Sequence, residues 1–107
     1  MTYPLNIYTF HINDSIEEII KEMTDEQLLQ LNKPSGLTSV CLLSDWWNQK
    51  TRIVEFSNTT NYEAIVKILT FYKHKTYNRM VGDHKFFEGL DDDRKVHPEF
   101  PTIHLGS

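Results

Sequence analysis

The residues of this chain with the broadest chemical repertoire are its five histidines: His11, His74, His84, His97 and His104. A bound metal needs several ligands at short, fixed spacing, and no pair of these histidines has the i, i+4 or two-residue spacing of strong zinc signatures. His97, Glu99 and His104 share a proline-rich tail. A weak surface metal site there, with a small enzyme built on it, is one alternative. Otherwise the sequence predicts no metal and no cofactor.

Other catalytic patterns are also missing from the sequence. Ser44 lacks the flanking glycines of a nucleophile elbow, and the four glycines form neither a P-loop nor a dinucleotide motif. The single cysteine, Cys41, lies in an apolar run and has no neighbour in sequence that would lower its pKa. We therefore expect a buried, unreactive thiol and a function without catalysis.

An adjacent pair of tryptophans, Trp46 and Trp47, gives the first candidate binding site. Neighbouring side chains on a strand point to opposite faces, so both are buried only if both faces of the sheet are covered. One interpretation places one tryptophan in each layer of the core. The other leaves one of them exposed at a hairpin, where it anchors a protein interface. The candidate protein-binding residues are Trp46, Trp47 and Asn48.

A basic surface gives the second candidate site. Residues 67–87 hold five bases and one acid, in a chain whose net charge is −4. With aromatic residues between the bases, this surface would neutralise phosphates and stack on the bases of single-stranded nucleic acid. A solvated helix face is the plainer alternative. The candidate nucleic-acid-binding residues are Lys67, Lys73, Lys75, Tyr77 and Arg79.

Capping and periodicity predict the elements that position these residues. Three pairs have the spacing of capping boxes and predict three helix starts: Ser15 with Glu18, Thr24 with Gln27, and Thr60 with Glu63. The third helix runs to Gly82, because apolar residues recur at steps of three and four as far as Met80. Residues 3–12 and 37–57 have strand composition, and a turn at 48–50 implies an antiparallel hairpin.

This order predicts the α+β fold class. The expected architecture is a two-layer domain with the order β-α-α-β-β-α plus a C-terminal extension, its helices on one face of a small, mainly antiparallel sheet. Residues 1–82 form the domain. Residues 83–107 form the extension, docked or partly mobile, with a helical turn or two near Phe86 and Phe87 and an exposed acidic run at 91–93. The uncovered face of the three-stranded sheet would then meet the extension, a second copy or a partner.

The order of elements over residues 3–80 resembles that of the type I KH domain, an RNA-binding module. That family clamps the nucleic-acid backbone with a GXXG loop between its first two helices. The matching junction here, residues 21–26, reads KEMTDE. It has no glycine and its acids would repel phosphate, so no binding residue is carried over. A split βαβ arrangement of the ferredoxin kind, with one element missing or supplied by the tail, fits the order equally well.

Length and composition set the class of protein. With 107 residues, 39% hydrophobic and 24% charged, the chain is expected to form one folded domain. It has no apolar run of roughly 20 residues and no signal-like N-terminus, so we expect a cytoplasmic protein without membrane contact. The predicted function is a small non-catalytic binding or regulatory protein that acts through a protein partner or self-association. Its Asn, Ile and Lys usage is typical of an accessory protein of a phage or an AT-rich bacterium; nucleic-acid binding is the alternative function.

Overall fold

The computed structural model describes residues 3–91 and 97–107. In that part of the chain, four helices and one five-stranded sheet form a mixed α+β domain. The helices are α1 (Ile16–Lys21), α2 (Asp25–Gln30), α3 (Asn61–Tyr72) and α4 (Lys75–Met80). The strands are β1 (Phe10–His11), β2 (Ser39–Asp45), β3 (Lys50–Glu55), β4 (Phe86–Asp91) and β5 (Thr102–Gly106). None of the helices in these residues is long and apolar enough to cross a membrane.

All three predicted capping boxes are confirmed. In each, the N-cap hydroxyl accepts the backbone N–H three residues on, and that residue's side chain accepts the N-cap N–H in return. Helices α1, α2 and α3 therefore begin where local sequence predicts, because both partners of each box lie within one turn.

The predicted single helix over residues 60–82 is wrong at its centre. Helix α3 ends at Tyr72, and His74, with φ −67° and ψ 116°, has extended backbone that separates it from α4. The side-chain amide of Asn78 donates to the Tyr72 carbonyl at 3.1 Å, which satisfies one of the carbonyls left unpaired at a helix end. The apolar spacing continued through this break to Met80, which is exposed.

The sheet has the order β1-β4-β5-β2-β3, in which only the β2–β5 pairing is parallel. The antiparallel hairpin of β2 and β3 is confirmed. The predicted three-stranded sheet is wrong, because residues 83–107 supply β4 and β5 to the middle of the sheet. The predicted helical turn near Phe86 is also wrong, since these residues pair with β1 and β5. Of the acidic run, Asp91 is half-buried at the end of β4, and residues 92 and 93 lie outside the described residues.

The predicted first strand, residues 3–12, is reduced to the two residues of β1. Pro4 begins a 3₁₀ turn, Pro4–Ile7, for which its fixed φ is suited. From this turn Asn6 reaches the part of β4 that the short β1 does not pair with: its side-chain oxygen accepts the Leu90 N–H at 2.8 Å, and its amide donates to the Leu90 carbonyl at 3.3 Å. One side chain thus takes the place of strand pairing.

The core lies between α3 and one face of the sheet. The strand registers put alternate side chains of β2, β4 and β5 on that face, where they pack with the buried residues of α3. These strand residues are Val40, Leu42, Phe87, Leu90, Ile103 and Leu105. By the same alternation, Cys41, Ile53, Phe86 and Thr102 point to the opposite face.

Candidate functional site

The structure separates the two tryptophans of the hairpin turn. Trp46 is half-buried and stacks on His84 with ring centroids 4.0 Å apart. Trp47 is 84% exposed. The interpretation that gives each core layer one tryptophan is therefore wrong for Trp47, which lies in the turn after β2 rather than on a strand.

Hydrogen bonds hold the turn that carries Trp47. The Asp45 carboxylate accepts from the Asn48 backbone N–H at 3.3 Å and from its side-chain amide at 2.7 Å. Gln49 takes the left-handed conformation, with φ 50°, and its N–H donates to the Trp46 carbonyl at 3.3 Å. The Asn48 amide is thus used inside the turn, and a direct contact between Asn48 and a partner stays a prediction.

The same hydrogen bonds set the acidity of Asp45. Chiefly through the bond from the Asn48 side chain, and then through the bond from its backbone, they lower the pKa of the Asp45 carboxyl below its ordinary value. They favour the charged form because a carboxylate accepts hydrogen bonds better than a carboxylic acid. The turn is therefore fully bonded when Asp45 is ionised.

Strand β3 follows this turn and forms one edge of the sheet. The Phe56 N–H donates to the Thr38 carbonyl, so in an antiparallel ladder the even-numbered residues of β3 face β2. Thr51, Ile53 and Glu55 then direct their backbone N–H and C=O groups away from the sheet. The Ile53 side chain is also 48% exposed. In the described residues this edge has no strand beside it.

The five predicted nucleic-acid-binding residues are divided between α3, α4 and the segment that joins them. Lys67 lies on α3, Lys75 and Arg79 lie on α4, and all three are exposed. The ring of Tyr77 already contacts three side chains, none of them a predicted site residue: Phe71 at 4.7 Å, His74 at 4.3 Å and the guanidinium of Arg52 at 5.6 Å from its centroid. Tyr77 is therefore engaged within the protein.

Three of the predicted bases meet at a pocket. Lys73, Lys75 and Arg79 line a concavity of about 530 Å³ between the turn that follows β1 and helix α4. Lys85, Asn13 and Asn78 line it too, and sequence reasoning did not find them. No local sequence pattern could have placed Asn13 and Asn78 in one pocket, because they are 65 residues apart in the chain.

The tail histidines have separate surroundings. His97 stacks on Phe100 with centroids 4.6 Å apart, whereas His104 lies 3.9 Å from the carboxylate of Glu88. Within residues 3–91 and 97–107, no three His, Cys, Asp or Glu side chains lie close enough together to hold a metal ion. Cys41 is fully buried, as predicted, and burial raises the pKa of its thiol.

No protein-family model, curated protein or solved structure matches this chain. The resemblance to the type I KH domain is therefore one of element order alone. In the sheet, β4 and β5 lie between β1 and the hairpin of β2 and β3.

Proposed function

We propose that the protein is a small, non-catalytic binding protein that holds a partner protein through the hairpin of β2 and β3. The observation that carries the proposal is Trp47, which is 84% exposed on a hydrogen-bonded turn. A tryptophan buries a large apolar area on binding and has only two side-chain torsions to fix, which is why tryptophan is enriched among the residues that dominate interfaces.

The edge of β3 supplies the second part of the interface. An extended segment of the partner would pair with the outward N–H and C=O groups of Thr51, Ile53 and Glu55, in the manner of β-strand addition. Such edges attract other strands unless something blocks them. We infer that the helices form one layer against the sheet, and that the half-exposed Ile53 on the other face extends the contact. Binding of a partner in this way would suit a small regulatory or accessory protein.

A second copy of the chain is one such partner. Antiparallel pairing of two β3 strands about Ile53 would place Thr51 of each copy opposite Glu55 of the other, under two-fold symmetry. Sedimentation equilibrium over a range of protein concentrations would detect this dimer. A dimer that forms in the wild type and weakens in Trp47→Ala would identify self-association as the form that the binding takes.

Nucleic-acid binding along α3 and α4, the alternative from the sequence, has less support. The Tyr77 ring is already stacked within the protein, and Lys67 is not among the residues that line the pocket with the other bases.

A peptide selection tests the proposal without a known partner. Extended peptides of about ten residues would be selected from a displayed library against the wild-type protein, and the amides they protect would be mapped by hydrogen exchange. We expect protection at Thr51, Ile53 and Glu55. Selected peptides that protect other elements, and leave this edge unchanged, would contradict strand addition at β3.

A further inference from the structure

The pocket beside α4 has a charge pattern that the hairpin does not use. Its lining includes Lys73, Lys75, Arg79 and Lys85, and Asp14 is the one carboxylate that residues 3–91 and 97–107 contribute to it. Among the described residues, no carboxylate forms an ion pair with any of these four bases. Four cations around one concavity make this a locally basic site in a protein of net charge −4.

Hydrogen bonds fix the polar side of the pocket. The Asn78 amide donates to the Asn13 side-chain oxygen at 2.6 Å and to the Tyr72 carbonyl at 3.1 Å. Lys85 Nζ donates to the Asn78 side-chain oxygen at 2.8 Å. Asn78 thus joins the turn after β1, the end of α3 and the residue that precedes β4. These bonds order Asn13, Asn78 and Lys85, so this side of the pocket loses little freedom when a ligand binds.

The floor of the pocket is apolar. Ile12, Leu69 and Tyr72 line it and are buried residues of the core. The Tyr72 hydroxyl donates to the Leu43 carbonyl at 2.9 Å, so its polar end is already bonded within the core. The volume of the pocket, about 530 Å³, lies within the range of small-molecule sites.

We propose that this pocket binds a small phosphate monoester. The phosphate dianion would bind Arg79, which can hold two of its oxygens at once, with the lysines neutralising the remaining charge. The organic group of the ester would lie on the apolar floor. This second site goes beyond the proposed function and uses none of the hairpin residues.

The surroundings of the pocket favour a small ester over a nucleic-acid chain. The adjoining concavity is lined by Asp14, Glu17 and Glu18, and the surface on the other side of the same turn includes Asp14 and Glu22. A polynucleotide that continued past the pocket in these directions would meet carboxylates that repel its phosphates. A single phosphate with a small organic group does not extend that far.

Calorimetric titrations with three probes test the proposal: inorganic phosphate, ribose 5-phosphate and a single-stranded oligonucleotide of about 12 nucleotides. We expect ribose 5-phosphate to bind more tightly than inorganic phosphate, because only the ester reaches the apolar floor. Arg79→Gln should weaken ester binding about tenfold or more. Lys67→Gln, a matched loss of one exposed charge outside the pocket, should change it less than about twofold.

Three results would overturn the proposal: no ester binding by the wild-type protein at millimolar concentration, equal losses for Arg79→Gln and Lys67→Gln, or tighter binding of the oligonucleotide than of the ester. Thermal unfolding of each variant checks that the fold is intact. Trp47→Ala is expected to leave ester binding unchanged, so that failure of this proposal and failure of the hairpin proposal remain distinguishable.

Discussion

The carboxylate of Asp45 accepts hydrogen bonds from both amide groups of Asn48, at 3.3 Å from the backbone nitrogen and 2.7 Å from the side-chain nitrogen. These two bonds close the turn from which Trp47 extends into solvent. Trp47 is therefore exposed on a turn whose backbone is held by hydrogen bonds. That relationship is the reason for our proposal that Trp47 contacts a partner.

The Asp45 turn is expected to weaken in acid. The pKa of Asp45 is lowered in the folded state by its bonds from Asn48, so its stabilising contribution is present above the ordinary aspartate pKa of about 3.9. The contribution is lost as pH falls below that value. The difference in unfolding free energy between wild type and Asp45→Asn should thus be greatest near neutral pH and shrink below about pH 4. Urea titrations measure the unfolding free energies, and Asp83→Asn, at an exposed position, serves as the control. If the difference between wild type and Asp45→Asn stayed constant with pH, the ionised Asp45 carboxylate would not be the source of the stabilisation.

Asn6→Ala is expected to destabilise the fold by about 1–3 kcal/mol, because the Leu90 N–H and carbonyl would both lose the partner that replaces strand pairing. Urea denaturation measures the change. Asn32→Ala, at an exposed position, should stay within about 0.5 kcal/mol of wild type. If the two variants are equally stable, the Asn6 amide does not support the edge of β4.

Tyr72→Phe is expected to cost about 1–3 kcal/mol of unfolding free energy, because it removes the hydroxyl that donates to the Leu43 carbonyl at 2.9 Å. The Leu43 carbonyl lies on the side of β2 that faces β5. In the described residues β2 and β5 pair at Cys41 and Thr102, so no β5 residue is paired with Leu43. Tyr62→Phe is the matched control, since Tyr62 is exposed. Burial raises the pKa of the Tyr72 phenol, so its hydroxyl stays protonated through the neutral range. The decrease in unfolding free energy caused by Tyr72→Phe should therefore be independent of pH in that range.

Sequence predicted the parts of this fold that depend on neighbours in the chain. Each capping box and the β2–β3 hairpin need residues only a few positions apart, and these were found. Strands β4 and β5 were missed because their pairing depends on distant partners, as when Phe10 stacks on Phe87 at 4.7 Å. Gly89, with φ 123° at a bulge in β4, also interrupts the alternation that marks a strand.

The candidate sites divide in the same way. The hairpin site was visible because Trp46 and Trp47 are adjacent to turn formers. The pocket was visible only in part. Lys73, Lys75 and Arg79 are close together in sequence, whereas Asn13 comes near Lys85 because the Ile12 N–H donates to the Lys85 carbonyl. The break at His74 could not be read from apolar spacing, because stacking of Phe71 and His74 on Tyr77 spans it.

The most direct test of the central claim is the dissociation constant of a selected extended peptide for the wild-type protein and for Trp47→Ala. We predict a loss of about tenfold or more in the variant, which corresponds to about 1.4 kcal/mol or more. Leu29→Ala removes another exposed apolar side chain, 72% exposed on α2, and should bind like wild type. Equal affinity for wild type and Trp47→Ala, with the fold of both intact, would contradict a binding surface anchored by Trp47.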